Sequence, residues 1–286
     1  MTAPDGTRLV DVAGQRWRVL ERGHGAPCWL LLHGTGASLH SWRAVAERLA
    51  AHATVVVPDL PGHAFTALAA PAQLTLPGMA QAVADLLRAI GCTPDLIAGH
   101  SAGAAVAARL VLDGLAAPRA LVAVNGAFLP FGGVAAPLFS PLARALYAQR
   151  WVPRLFARRA ADVAVIRRLV EGTGSRLDDA GIAAYQQLMR QPSHAEAALG
   201  MMAHWDLRAL ERELPQLPVP LTLVVGARDR AVAPRQAERV AVRCAQATVM
   251  RLEGLGHLAQ EEDPERVAQT LHALAQRLGF AQGRRL

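Results

Sequence analysis

Lysine is missing altogether: all 30 basic residues are arginine, set against 23 acidic ones for a formal charge of +7. A basic balance raises nucleic acid as a partner. The arginines form no terminal tail, however, and no nucleic-acid motif accompanies them, so no nucleic-acid partner is expected. Arginine codons are GC-rich, and a GC-rich genome accounts for the bias without a function. Cysteine is scarce. Cys28, Cys92 and Cys244 are scattered, with no CxxC pair, which excludes a zinc ribbon or disulfide framework and points to a reduced cytoplasm. No apolar run reaches the roughly 20 residues of a membrane-spanning helix. The opening MTAPDGTRLV lacks the basic-then-apolar order of an export signal. No cofactor and no resident metal are expected.

What is abundant is apolar: 52% of 286 residues are hydrophobic and only 19% charged, enough for one α/β core with an insertion. Arg8–Val12 and Gln15–Glu21 alternate around Gly14 as a hairpin. Cys28–Leu32, Thr54–Val57, Leu96–Ala98, Ala120–Val124 and Leu221–Val225 are short, nearly continuous apolar runs, the mark of strands buried on both faces. Thr248–Leu252 closes the series of strands. Helical spacing appears over Ser41–Ala51, Met79–Ile90, Ala102–Leu112, Pro234–Cys244 and Pro264–Leu278. Such alternation predicts a mostly parallel central sheet with helices on both faces. Strand signals vanish between about Phe128 and Asp206. The expected organisation is therefore a core of residues 1–127 and 207–286 with a helical lid inserted at 128–206.

Gly99-His100-Ser101-Ala102-Gly103 matches G-x-S-x-G, the nucleophile elbow of the α/β-hydrolase fold, and sits between a buried strand and an alanine-rich helix as that elbow requires. A serine hydroxyl needs a base, and the base an orienting carboxylate, in the chain order Ser, acid, His. Asp229, just after the strand Leu221–Val225, is the candidate acid. The other position used for the acid, after Ala120–Val124, holds Asn125, which cannot carry the charge. His257 follows the last strand in a glycine-rich turn and is the candidate base. The oxyanion donors are assigned to the backbone N–H groups of Thr35, in His33-Gly34-Thr35-Gly36, and of Ala102. Epoxide hydrolases and dehalogenases need an aspartate where Ser101 stands.

Asp59-Leu60-Pro61-Gly62-His63 reads as a structural loop, its aspartate bonding local backbone and His63 at the pocket mouth. Trp42 and Trp205 read as core packing. The lid stretch gathers Arg144, Arg150, Arg154, Arg158, Arg159, Arg167, Arg168 and Arg176 against only Asp162 and Glu171. Leu142, Leu146, Trp151, Leu155 and Phe156 interleave with them. That pattern is a solvated amphipathic face, or a surface for acidic lipid, ligand carboxylates or acidic protein.

Beyond these motifs, LLLHGTGASLHSW, VVPDLPGH, GHSAGAAVAARLVLDG, VNGAFLPFGG, EGTGSRLD, GMMAHWDL and GLGHLAQEE resemble the magnesium-chelatase accessory protein of bacteriochlorophyll biosynthesis, an α/β-hydrolase of photosynthesis gene clusters. The resemblance spans nearly the whole chain and is most specific in Gly172–Asp178 and Gly200–Leu207. It implies Ser101, Asp229 and His257 as the triad, and a role assisting magnesium insertion into protoporphyrin. It implies a porphyrin or ester as small-molecule ligand and magnesium chelatase subunits as partners; peripheral membrane contact through the basic lid is the expectation from the lid's own arginines. One departure from the wider fold is Ala64, where many relatives have glycine. Three functions stay open at this point: an ester-type serine hydrolase, a non-catalytic porphyrin- or chelatase-binding module, and a cofactor-free haloperoxidase-like or C–C bond hydrolase.

Overall fold

A computed structural model describes residues 6–68, 70–130, 145–149 and 151–280; Arg144, Arg150 and Leu142 of the lid stretch lie outside them. The apolar runs become eight strands: β1 (Thr7–Val12), β2 (Gln15–Arg22), β3 (Cys28–Leu32), β4 (Thr54–Pro58), β5 (Leu96–His100), β6 (Ala120–Val124), β7 (Leu221–Gly226) and β8 (Ala247–Leu252). They form one sheet in the order β1-β2-β4-β3-β5-β6-β7-β8. The β1–β2 hairpin and the β2–β4 pair are antiparallel, and every later pair is parallel.

Successive residues of a strand point to opposite faces, and here each face has its own core. Leu30, Leu32, Ile97, Leu121 and Leu223 pack with helices α2 (Leu76–Ala89) and α3 (Ala102–Leu112). Trp29, Leu31, Ala98, Val122 and Val224 pack instead with α1 (His40–Leu49) and the C-terminal helix Pro264–Arg277. Burial of each such Leu or Val contributes roughly 1.5–3 kcal/mol. Helix α2 begins three residues before the expected Met79. The Thr75 hydroxyl accepts from Gly78 N at 3.2 Å and Pro77 occupies the first turn, a start signal outside the apolar periodicity. Cys28 and Cys92, 64 residues apart, meet as free thiols with sulfurs 3.6 Å apart.

Between β6 and β7 the described chain forms α4 (Val152–Arg159), α5 (Val163–Gly172), α6 (Asp179–Met189), α7 (Pro192–His204) and α8 (Arg208–Glu213). Helix α7 lies against loops at the carboxyl ends of β3 and β4. Thr35 Oγ1 contacts Met201 Sδ at 3.2 Å, and a methyl on Gly62 would meet Ala197 at 2.5 Å. Among the described residues no helix is long and apolar enough to cross a membrane.

Candidate active site

Ser101 stands between β5 and α3 with φ 51° and ψ −119°, a left-handed conformation costly for a residue with a side chain. The flanking glycines make the turn sterically accessible. A Cβ on Gly99 would lie 2.4 Å from Ala104 N, and one on Gly103 would lie 2.3 Å from the Leu32 carbonyl. The end of β6 then fixes the serine backbone: Ser101 N donates to Val124 O at 3.1 Å, and Ala127 N donates to Ser101 O at 3.1 Å.

The same segment holds the histidine. Asn125, buried and itself at φ 49°, donates from Nδ2 to the carbonyls of Gly256 (2.9 Å) and His257 (2.8 Å), and its Oδ1 accepts from Gly226 N at 2.7 Å. Four residues of chain, Val124–Ala127, thus position both Ser101 and His257. His100, beside the serine, reaches the His257 carbonyl with Nε2 at 2.9 Å, and the two rings lie 4.7 Å apart between centroids. In the sequence Asn125 reads only as a missing acid. Its amide is what a carboxylate could not supply, a donor to two carbonyls.

Asp229 Oδ1 accepts from Ala231 N and Val232 N, both at 2.8 Å, which leaves Oδ2 to meet His257 Nδ1 at 2.8 Å. Both residues are buried. A carboxylate accepts only, so Nδ1 is the donor of that bond, and Nε2 is the ring nitrogen not engaged by Asp229. No hydrogen bond joins the Ser101 hydroxyl to that nitrogen in this structure; such bonds commonly tighten only when a reacting group is held.

The glycine-rich turn after β3 abuts the serine, since a methyl on Gly34 would lie 3.0 Å from Ser101 Cβ. Among the described residues the amides of Thr35 and Ala102 donate to no backbone acceptor. The turn is anchored by neutral imidazoles. His33 meets Gly34 O through Nδ1 at 2.8 Å and accepts from Leu60 N at 2.9 Å; His194 of α7 meets Gly36 O at 3.1 Å and accepts from Ala64 N at 3.0 Å. Burial holds both rings below the ordinary imidazole range. His63, expected at the pocket mouth, is instead fully buried between them, with ring centroids 5.2 Å and 5.3 Å away. Asp59 bonds backbone as expected, with Phe65 a few residues on and with a remote segment: Oδ1 accepts from Leu39 N at 2.7 Å, and burial raises its carboxyl to about 6. Ala64 sits at φ 48°, which explains why glycine is common there.

The segment Thr173–Arg176 braces the two loops that bear Asp229 and His257. Arg230 N donates to Thr173 O at 3.0 Å, and Leu258 N donates to Ser175 Oγ at 2.8 Å. Glu262 accepts from Gly256 N at 2.7 Å and Arg176 N at 3.1 Å, with Arg228 at 3.5 Å. A methyl on Gly256 would collide with Gly174 O at 2.4 Å. None of these links has a sequence signal, because each joins residues from separate loops.

Glu261 adds a titrating contact. Tyr185 of α6 donates to its carboxyl at 2.8 Å, His40 Nε2 lies 3.6 Å away, and Glu262 is its acidic neighbour. Burial lifts Glu261 to about 8 and drops His40 to about 4, so at neutral pH the carboxyl keeps its proton, the imidazole is uncharged, and the two form no ion pair. A carboxyl raised on folding stabilises below its ordinary value, and that stability is lost as pH climbs through its folded value. Between pH 6.5 and 8.5, above the ranges of His40 and Asp59, wild-type protein is expected to lose on the order of 2 kcal/mol that Glu261→Gln does not lose. Urea unfolding at the two pH values checks this; equal losses in both proteins would refute it.

The comparisons agree with this architecture. Residues 29–270 match the model of the Alpha/beta hydrolase family. The magnesium-chelatase 30 kDa subunit of Rhodobacter capsulatus is 39% identical over 246 residues, 86% of each chain. Among solved structures, the thermophilic esterase of Thermogutta terrifontis superposes with TM-score 0.77 at 25% identity, covering 95% of this chain and 98% of that one. The epoxide hydrolase CorEH superposes at 0.79 with 20% identity, over 95% and 99%, a likeness of fold alone.

Proposed function

This chain belongs to the Alpha/beta hydrolase family, with the magnesium-chelatase 30 kDa subunit among its relatives, and we propose that it is a serine hydrolase of ester-type bonds serving magnesium insertion into protoporphyrin. The observation that carries the hydrolase reading is the clamp of Val124–Ala127 on both Ser101 and His257, with Asp229 fixed on Nδ1. Ser101 Oγ attacks the ester carbonyl while His257 Nε2 takes its proton. The Thr35 and Ala102 amides receive the oxyanion charge. The imidazolium then protonates the departing alcohol, and water, deprotonated by the same nitrogen, releases the acid and restores Ser101.

We take residues 128–206 as a lid over this site and a reduced cytoplasm as its location. Exposed Trp151 and Leu155, beside Arg154, Arg158 and Arg159, fit peripheral contact with an acidic membrane. Chelatase subunits are the proposed partners, on the strength of the relative's name. The binding-module reading needs the protein but not its serine. Deleting the gene is expected to lower bacteriochlorophyll under limiting magnesium, and a Ser101→Ala copy is expected not to restore it. Pigment at wild-type level in the deletion would sink the pathway role; full rescue by Ser101→Ala would sink catalysis as its basis.

A further inference from the structure

We infer that Cys28 and Cys92 form a dithiol oxidation site, which peroxide closes into a reversible intramolecular disulfide between β3 and the chain entering β5. Their sulfurs face each other 3.6 Å apart, and both residues are partly exposed. Although 64 residues separate them in the chain, the fold brings them together at the amino ends of two neighbouring strands. Strands β3 and β5 pair in parallel, with Trp29 beside Leu96. Ser101 follows the opposite end of β5, and the oxyanion turn follows the opposite end of β3. The dithiol is therefore remote from the candidate triad, and it stands whether or not Ser101 is a nucleophile.

Both backbones are pinned where the thiols meet. Cys28 N donates to Asp95 Oδ2 at 2.7 Å, and Asp95 N donates back to Cys28 O at 2.9 Å. Cys92 N donates to Leu87 O at 2.9 Å, closing the end of α2. A disulfide bond is about 2.05 Å long, so closure asks the two side chains to approach by about 1.5 Å. The third cysteine has neither the access nor the neighbour. Cys244 is buried, its thiol donates to Leu214 O at 3.3 Å, and burial raises it above the ordinary thiol range. It serves as an internal control.

The pair also divides the chemistry between its members. Once Cys28 is ionised, the Cys92 thiol donates to it. That bond holds Cys28 below the ordinary thiol range, against burial and the nearby Asp95 and Glu21, and the same bond with burial raises Cys92. The thiolate is the attacking form, so Cys28 reacts first. Its sulfur attacks one oxygen of hydrogen peroxide: an S–O bond forms, the O–O bond breaks, and hydroxide leaves to become water. The Cys92 sulfur then attacks the Cys28 sulfur; the S–O bond breaks, the S–S bond forms, and the second water departs with the Cys92 proton. Two thiols lose two electrons and two protons, and one peroxide becomes two waters. A dithiol reductant reverses the bond by exchange. Disulfides of this transient, oxidant-made kind are the ones that occur in reducing compartments. While closed, the bond ties residues 28–92 into a ring, which restricts the unfolded chain and stabilises the folded one.

The test treats the reduced full chain with a small excess of hydrogen peroxide and reads it without reductant. Thiols titrated in denaturant are expected to fall from three to one, and the intact mass to fall by two hydrogens. Peptide mapping should link Cys28 to Cys92, and dithiothreitol should restore all three thiols. The thermal midpoint of the oxidised wild type should rise by roughly 3 °C or more. Cys244→Ser should show the same link and the same rise. Cys92→Ser should show neither, and its Cys28 should accumulate as sulfenic acid trapped by dimedone. Cys28→Ser should give about tenfold less trapped acid at Cys92. A link that includes Cys244, dimers joined between chains in place of the internal bond, or three thiols surviving peroxide would overturn the site. A Cys28–Cys92 link that left the midpoint unchanged would overturn its stabilising role, and equal trapping at the two sulfurs would overturn the order of attack.

Discussion

Replacing Ser101 by alanine is expected to lower hydrolysis of short p-nitrophenyl esters by roughly a thousandfold or more, with the fold unchanged. The size of the effect follows from the division of labour. Without the hydroxyl no acyl intermediate forms, and only the oxyanion donors and binding remain to assist water. Stability should hold because alanine at φ 51° carries about the same strain as serine, and no hydrogen bond from Ser101 Oγ is lost in the resting structure. Circular dichroism and a thermal melt establish the fold, and initial rates above buffer hydrolysis establish the loss. A folded variant with wild-type rate would remove Ser101 from the chemistry.

Asn125→Ala should cost both stability and rate. The side chain makes three buried hydrogen bonds, and its removal leaves Gly226 N and the carbonyls of Gly256 and His257 without that partner. Each orphaned buried group costs about 1–3 kcal/mol, less where water enters. We expect a total loss of about 3 kcal/mol in urea unfolding, and a fall in kcat of ten- to a hundredfold as the His257 loop loosens. Asn125→Asp separates the clamp from a reserve acid. A carboxylate there would face two carbonyl oxygens at under 3 Å, so it should be worse than alanine in both measurements. If Asn125→Asp keeps wild-type activity, the residue serves as an alternative acid position and the clamp account fails.

The layout of the fold was legible because its strands are buried on both faces: Cys28–Leu32 and Ala120–Val124 could only be near-continuous apolar runs. Ser101, Asp229 and His257 were legible because each sits at a strand end beside turn residues in a fixed chain order. What lay beyond reach was contact between remote segments. The spacing of Ser175 and Glu262 gives no sign that one takes Leu258 N and the other joins Gly256 N to Arg176 N. His63 looked like a loop histidine and is packed between His33 and His194 because three loops converge there. Asp59 read as a local turn residue, and beside its bond to Phe65 it also holds Leu39, 20 residues earlier. The Ala64 departure could be noticed in the sequence, but its reason, a positive φ, could not.

The central claim is that Ser101 is a nucleophile activated by His257 and Asp229, and covalent labelling tests it most directly. Wild-type protein is incubated with a fluorophosphonate, and intact mass and peptide mapping follow. One adduct per chain is expected, on the peptide bearing Ser101, absent from Ser101→Ala and formed at least a hundredfold more slowly in His257→Ala. An unlabelled wild-type protein, or an adduct on any other residue, would contradict the account.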